Sequence, residues 1–356
     1  MSIFRAAAGA ALLALAGPAF AQADRVPTVG LTPQDSGVDV RLRGISAVDD
    51  QVAWASGAGG TVLRTVDGGQ HWQSIQVPGA ADLDFRDVEG FDANHAVVLS
   101  IGPGEASRVY STSDGGRSWT LVLQNSDPDA FLDCMAFEDA HGVILGDPVD
   151  GHFQILETHD RGEHWTLRSD GPESATGEAA FAASGTCIAL GGDDIVFVTG
   201  GARARAHYLL DPAGGGPGRW RATPAADATP LPSTGYFSVA RTPDGFIAVG
   251  GDYEQPDAAG LLAALPLDHA ASGSSRLGFG PRSAPAGYRS GIACMDEAIA
   301  CLATGPSGTD WWDGKAWSAV SPLGFDAVDV AGNTGWVSGD GGRIARIGIG
   351  PEKTAE

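Results

Sequence analysis

Apolar residues along the chain come in short runs separated by glycine-rich turns, and few stretches repeat them at helical spacing. Runs rich in Val, Ile, Phe and Trp, punctuated in this way, predict many short β-strands. Seven of them open a larger unit: Leu42-Arg43-Gly44-Ile45, Phe85-Arg86-Asp87-Val88, Leu132-Asp133-Cys134-Met135, Ala180-Phe181-Ala182-Ala183, Tyr236-Phe237-Ser238-Val239, Tyr288-Arg289-Ser290-Gly291 and Phe325-Asp326-Ala327-Val328. Each is followed by a second apolar run ending in small residues, at 54–57, 97–100, 143–146, 188–191, 247–250, 300–305 and 336–339. The pattern predicts seven hairpins, each an inner strand and its neighbour in one sheet.

A motif sets the period. Thr65-Val66-Asp67-Gly68-Gly69-Gln70-His71-Trp72 has the form Ser/Thr-x-Asp-x-Gly-x-x-Trp and recurs at 112–119 and 158–165, with the aspartates 47 and 46 residues apart. In this Asp-box the carboxylate accepts backbone N–H groups of its own turn, glycine takes positive φ, and tryptophan packs beneath. Asp67, Asp114 and Asp160, with Trp72, Trp119 and Trp165, are therefore expected to be turn staples rather than catalysts or calcium ligands. Repeats of this length point to propeller blades. Trp54-Ala55-Ser56-Gly57-Ala58-Gly59-Gly60 near the start matches Trp336-Val337-Ser338-Gly339-Asp340-Gly341-Gly342 near the end, at an offset of 282 residues. That is six steps of 47, hence seven blades. A shortened box stands at 313–317 and an eroded one at 211–220, blade five has none, and 270–285 is an insertion. The last blade has three strands of its own. The segment around 26–40 is expected to add the fourth and close the ring, which removes exposed sheet edges. The predicted fold is all-β: a seven-bladed β-propeller of four-stranded antiparallel blades, closed by an N-terminal strand.

The first residues do not belong to that pattern. Arg5, the apolar run 6–16, Pro18 and the small-x-small Ala19-Phe20-Ala21 form a secretory signal, which assigns 1–21 to a signal peptide, 22–350 to the propeller and 351–356 to a tail. Nothing after cleavage is long and apolar enough to span a bilayer as a helix, so a periplasmic or secreted protein is expected. The 22 basic and 44 acidic residues give a net charge of −22, and such a field repels nucleic acid and anionic membranes. Four cysteines in an exported chain are open to oxidation. Cys294 and Cys301 would face each other across a hairpin turning near Glu297-Ala298, close enough for a disulfide, with two buried thiols as the alternative. A Cys134–Cys187 bond is the less supported pairing. No CxxC or Cys/His spacing suggests a metal, and no cofactor is expected.

Arg43-Gly44-Ile45, Trp54-Ala55-Ser56-Gly57, the boxes and the seven-fold count resemble the photosystem II stability/assembly factors and their non-photosynthetic bacterial relatives, over about residues 40–348. Gly146-Asp147-Pro148, Phe181-Ala182-Ala183-Ser184-Gly185-Thr186, Gly250-Gly251-Asp252-Tyr253 and Gly287-Tyr288-Arg289-Ser290 are similar to segments of those relatives. The resemblance implies an assembly chaperone without catalysis. Asp-boxes also occur in sialidases and sortilin-like receptors, so a glycoside hydrolase of the sialidase-like class is the alternative. That chemistry needs an arginine triad, a Tyr–Glu pair and an Asp acid. Arg25-Val26-Pro27 mimics one element and Tyr288 with Arg289 could serve, but the full set does not assemble with family spacing.

Propellers bind at the mouth of the central channel, where inner strands converge. Aligning the inner strands brings Arg43, Arg86 and Arg289 to similar heights, with Asp133, Glu178 and Asp326 nearby. Either these ion pairs neutralise one another and merely close the channel, or the arginines form a basic pocket for a carboxylate, phosphate or acidic peptide. Asp147, Asp252 and Tyr253 follow second strands and are placed at the opposite turns or the channel wall. The expected protein is a monomeric, exported, non-enzymatic propeller that binds a protein or a small anionic ligand.

Overall fold

A computed structural model describes residues 28–192, 194–210, 219–225, 228–243, 245–266, 283–295 and 300–350. The expected signal segment, Arg25-Val26-Pro27, the expected tail and most of the 211–220 and 270–285 tracts lie outside these residues, as does the expected turn at 297–298. Seven antiparallel sheets follow one another around a ring, as the 282-residue offset requires. Blade 1 is Leu42–Ala47, Ala53–Gly57, Thr61–Thr65 and Gln73–Gln76; blades 2, 3 and 6 repeat the four-stranded meander from Asp84–Gly90, Leu132–Glu138 and Gly291–Cys294. Among the described residues the only helix is a 3-10 turn, Gly104–Ala106. None is long and apolar enough to cross a membrane.

Blade 7 is closed as expected. Thr28–Gln34 pairs along its whole length with Ile344–Gly350, outside Thr334–Ser338 and Ala327–Ala331. Gln34 ends that strand as a latch. Its Oε1 accepts from Trp72 Nε1 at 3.1 Å and Trp336 Nε1 at 3.0 Å, and its Nε2 donates to Gly68 O at 2.9 Å. The latch therefore joins the last blade to the first Asp-box.

The core lies between blades rather than within them. Trp54, Val62 and Ile75 of blade 1 pack on Phe85, Val88 and Tyr110 of blade 2, and Trp119 of the second box covers the seam. Trp165 covers the seam between blades 2 and 3, and Trp72 that between blades 7 and 1. The boxes form the expected turns. Asp67 Oδ1 accepts from His71 N at 2.9 Å, Asp114 Oδ1 from Ser118 N at 2.9 Å, and Asp160 Oδ1 from His164 N at 3.0 Å. The preceding threonine hydroxyl takes the box-glycine N–H in each case. These bonds hold the three carboxyls down to about 2. Asp313 Oδ1 likewise accepts from Ala316 N and Lys315 N, and these bonds lower the pKa of its carboxyl.

Blade 4 departs from the predicted register. Its sheet runs Ile188–Gly191, Asp194–Val198, Arg205–Leu210 and Arg219–Pro224, so 188–191 is the inner strand and not the second. The run Ala180-Phe181-Ala182-Ala183 forms no strand. Apolar content made it look like one, but its polar backbone groups go across the ring instead of into a ladder. Blade 5 consists of Thr234–Thr242, Gly245–Asp252 and Leu261–Pro266, with Gly200–Gly201 and Glu178–Ala179 added on its inner edge. Both disulfides are formed. Cys134–Cys187 bridges the inner strand of blade 3 to the residue before that of blade 4, and Cys294–Cys301 spans the predicted cross-strand pair.

Candidate functional site

Four inner strands carry the same irregularity. The ladder skips one residue between Leu42 and Gly44, Phe85 and Asp87, Leu132 and Cys134, and Tyr236 and Ser238. The skipped residues are Arg43, Arg86, Asp133 and Phe237. A β-bulge frees a side chain from the alternation of its strand and re-aims it. Repeated around a ring, it re-aims one side chain in each of four blades. Three of them line a cavity of about 340 Å³, together with Arg41, Phe181, Tyr253, Tyr288 and Asp326.

The floor of this mouth is the segment 181–186, which reaches from blade 4 across the axis. Ala182 O accepts from Arg86 Nη1 at 2.6 Å and Ala183 O from Arg43 Nη1 at 3.2 Å. Ser184 Oγ donates to Ser290 O of blade 6 at 2.6 Å, and Thr186 Oγ1 meets Ser238 Oγ of blade 5 at 2.5 Å. Gly185, at φ 79°, lies so close to Asp87 of blade 2 that a Cβ there would come within 2.5 Å of its carboxylate. Blades 1, 2, 5 and 6 thus all hold one strap that closes the channel.

The mouth has two chemically different sides. On one, Arg41 forms two bonds to Asp326, at 2.8 and 2.6 Å, and Arg86 Nε bonds Asp84 at 2.9 Å. Among the described residues no carboxylate lies within ion-pair distance of Arg43, and burial with Arg86 and Arg41 alongside lowers its pKa to about 10. On the other side, Phe181 stacks on Phe237 with ring centroids 4.2 Å apart. Tyr253 stands edge-on to both, and Tyr288 edge-on to Phe237 at 4.7 Å. Tyr253 is half exposed, while Tyr288 is buried and its phenol pushed up by that burial.

The predicted set is only partly assembled. Arg43, Arg86 and Asp326 meet at the mouth. Arg289 precedes its strand instead of bulging from it, and turns inward to Asp310 at 2.9 and 2.6 Å and to Tyr288 O, fully buried. It belongs to the interior of blade 6. Glu178 lies on the added edge of blade 5 and takes Arg205, His207 Nε2 at 2.8 Å and Thr199 Oγ1 at 2.6 Å. Burial acts to raise its carboxyl, but the bonds from His207 and Arg205 prevail and hold it at about 2. It pairs with none of the three arginines. Asp133 is buried, and burial with Asp147 alongside pushes its carboxyl well above the usual range. Asp133 is not among the residues lining the mouth, and Arg86 pairs with Asp84 instead.

Arg41 and the stacked pair Phe181–Phe237 were not among the expected site residues. Arg41 stands two residues before Arg43, on the same side of an extended chain, and that spacing was the available signal. Tyr253 was placed at the opposite end or the wall. In an antiparallel pair the second strand ends where the first begins, so it reaches the same mouth. Asp147 follows for the same reason and accepts from Ala180 N at 2.9 Å, whereas Asp252 caps its own turn. The boxes, between third and fourth strands, lie on the opposite face.

No protein-family model and no curated protein matches the chain. Solved structures do. The chain is similar to YCF48 bound to D1 peptide, with TM-score 0.55 and 16% identity over 92% of this chain and 98% of that one. YCF48 from Cyanidioschyzon merolae gives 0.53 and 16% over 89% and 98%. The WD40 β-propeller domain of Doa1 gives 0.50 and 12% over 90% and 96%. At these identities the likeness is one of fold: the chain is a seven-bladed β-propeller built like YCF48.

Proposed function

We propose that the chain is an exported, non-enzymatic propeller that captures an anionic group of a protein segment at the arginine–aromatic mouth, in the manner of an assembly or stability factor. One observation carries this reading. Arg43 offers guanidinium donors to a concave mouth with no carboxylate paired to it among the described residues, beside Arg86 and opposite a wall of stacked rings. Arginine forks match carboxylate and phosphate geometry, and a closed floor keeps the group from passing through. The aromatic wall suits an apolar or aromatic side chain next to the anion. That a YCF48 structure holds a D1 peptide supports a peptide as the ligand. The two disulfides and the leader support an oxidising compartment. For the glycosidase alternative, Tyr288 is a buried phenol, and among the described residues lining the mouth no glutamate stands to pair with it.

The test uses acidic hexapeptides containing one aromatic residue, each beside a copy with its carboxylates amidated. Calorimetric titration should show binding of acidic members only. Arg43→Ala and Arg86→Ala should each weaken it by roughly tenfold or more, the scale of a lost charge-assisted contact of ~1.5–3 kcal/mol, with the propeller still folded by circular dichroism. Equal binding of amidated copies, indifference to both substitutions, or no binding at all overturns the reading.

A further inference from the structure

The third blade carries a side-chain cluster that neither the fold nor the mouth uses. Strands His141–Val149 and His152–Thr158 pair with Gly142 opposite Thr158 and Val143 opposite Glu157. One step further along the ladder places His141 opposite His159. Glu157, two residues before His159, shares that face of the sheet. The side chains converge accordingly. Glu157 Oε1 lies 2.8 Å from His141 Nε2 and 3.8 Å from His159 Nε2, and the imidazoles stack with centroids 4.9 Å apart. All three ligand atoms fall within 4.8 Å of one another.

We propose that His141, Glu157 and His159 form a binding site for a divalent transition-metal ion of the zinc class. Imidazole nitrogens with one carboxylate oxygen are the donor set such ions take, and three protein ligands leave a position open to water or to a partner's side chain. A tetrahedral ion with bonds of about 2.1 Å needs ligand atoms about 3.4 Å apart. The distances of 2.8 and 3.8 Å bracket that value, so a small turn of the exposed His159 ring completes the site. The carboxylate is also oriented from behind. Arg168 Nη1 donates to Glu157 Oε2 at 2.8 Å, which leaves Oε1 facing the histidines, and Asp170 offsets the guanidinium charge at 2.9 Å. Held outer-shell contacts of this kind fix the geometry of metal-binding carboxylates.

The other two Asp-box blades serve as an internal control. The same three positions are Val52, Arg64 and Val66 in blade 1, and His95, Ser111 and Ser113 in blade 2, as their registers show. Both blades form the same box turn. The turn therefore requires neither the histidine pair nor the glutamate, and their presence in blade 3 needs another explanation. Sequence spacing gives no hint of it, because strand pairing, not a local motif, brings the ligands together. The site lies on the face of the boxes, opposite the arginine mouth, so the two proposals stand or fall separately.

The full chain, without a histidine tag, is titrated with Co²⁺ followed by visible absorption and with Zn²⁺ followed by calorimetry. One saturable equivalent with a ligand-field band typical of nitrogen and oxygen donors is expected. His159→Ala, an exposed position whose loss leaves the fold alone, should weaken binding by roughly tenfold or more, as should His141→Ala. His164→Ala should leave binding unchanged. That control matters because Asp160, Glu163 and His164 form a second, fully exposed group. The absence of a saturable equivalent, or a step that survives His159→Ala and is lost in His164→Ala, overturns the proposal.

Discussion

Arg43 and Arg86 show how far a single residue can be read from sequence. Their places relative to the strand starts were legible, because alternation along an inner strand is fixed once its start is known. The bulge that aims them is not encoded in any residue type at that position: Arg, Arg, Asp and Phe all occupy it. Arg289 failed for that reason, since its blade offers a buried acid, Asp310, where the others offer a bulge. The box aspartates were the easier case, because their partners are local. Their carboxyls sit at about 2 in the fold, below the value of about 4 in an unfolded chain. A depressed acid contributes stability that is present above about 4 and is lost as pH falls toward about 2. Asp114→Ala should therefore lower the melting temperature by a few degrees at pH 7, with the deficit vanishing below about pH 2. An unchanged melting temperature at pH 7 would count against the staple role. Glu89 has the opposite sign. Burial, together with Asp329 and Asp87, pushes its carboxyl well above the usual range. The native state then holds a proton that the unfolded chain releases above about 4.3, so stability falls as pH rises past that point. Glu89→Gln should match wild type near pH 4 and melt progressively higher than it as the pH rises from there. A difference that does not grow with pH would exclude this cause.

At the level of elements, six of the seven inner strands were legible because each is followed by a second run at a fixed distance. Blade 4 misled because two apolar runs, 180–183 and 188–191, compete for the same place. The second won by pairing with Asp194–Val198, and the first then served the channel. The closing strand was legible only as a deficit, a last blade one strand short. What it does chemically was not. Gln34 satisfies two indole N–H groups and one carbonyl from two different blades. Removing its amide leaves those partly buried groups without partners, which costs about 1–3 kcal/mol each where water cannot replace them. Gln34→Ala should accordingly reduce unfolding free energy by about 1–3 kcal/mol in urea titrations, without altering capture at the mouth. A change in capture with stability intact would mean that the latch acts on the mouth rather than on ring closure.

Across the whole molecule, the ring and its strap form one mechanical unit. A seven-bladed propeller leaves a channel along its axis, and here residues 181–186 fill it while blades 1, 2, 5 and 6 hold them. The strap supplies the mouth with a floor, with the carbonyls that position Arg43 and Arg86, and with Phe181 of the aromatic wall. Its C-terminal end runs directly into Cys187, whose disulfide to Cys134 ties it to blade 3. That bond separates 53 residues, against 7 for Cys294–Cys301. By loop-closure entropy the first is worth about 4 kcal/mol and the second about 2 kcal/mol. Only the first also limits how far the strap can move. Fixing a binding surface in advance lowers the ordering cost of capture. Replacing Cys134 and Cys187 together by Ser should therefore weaken binding of the acidic hexapeptides by more than the Cys294→Ser, Cys301→Ser pair does. It should also raise hydrogen exchange across 181–186 before the blades themselves open. If the two double variants bind the peptides equally well, the strap is held by its hydrogen bonds alone and the disulfide serves only the stability of the ring.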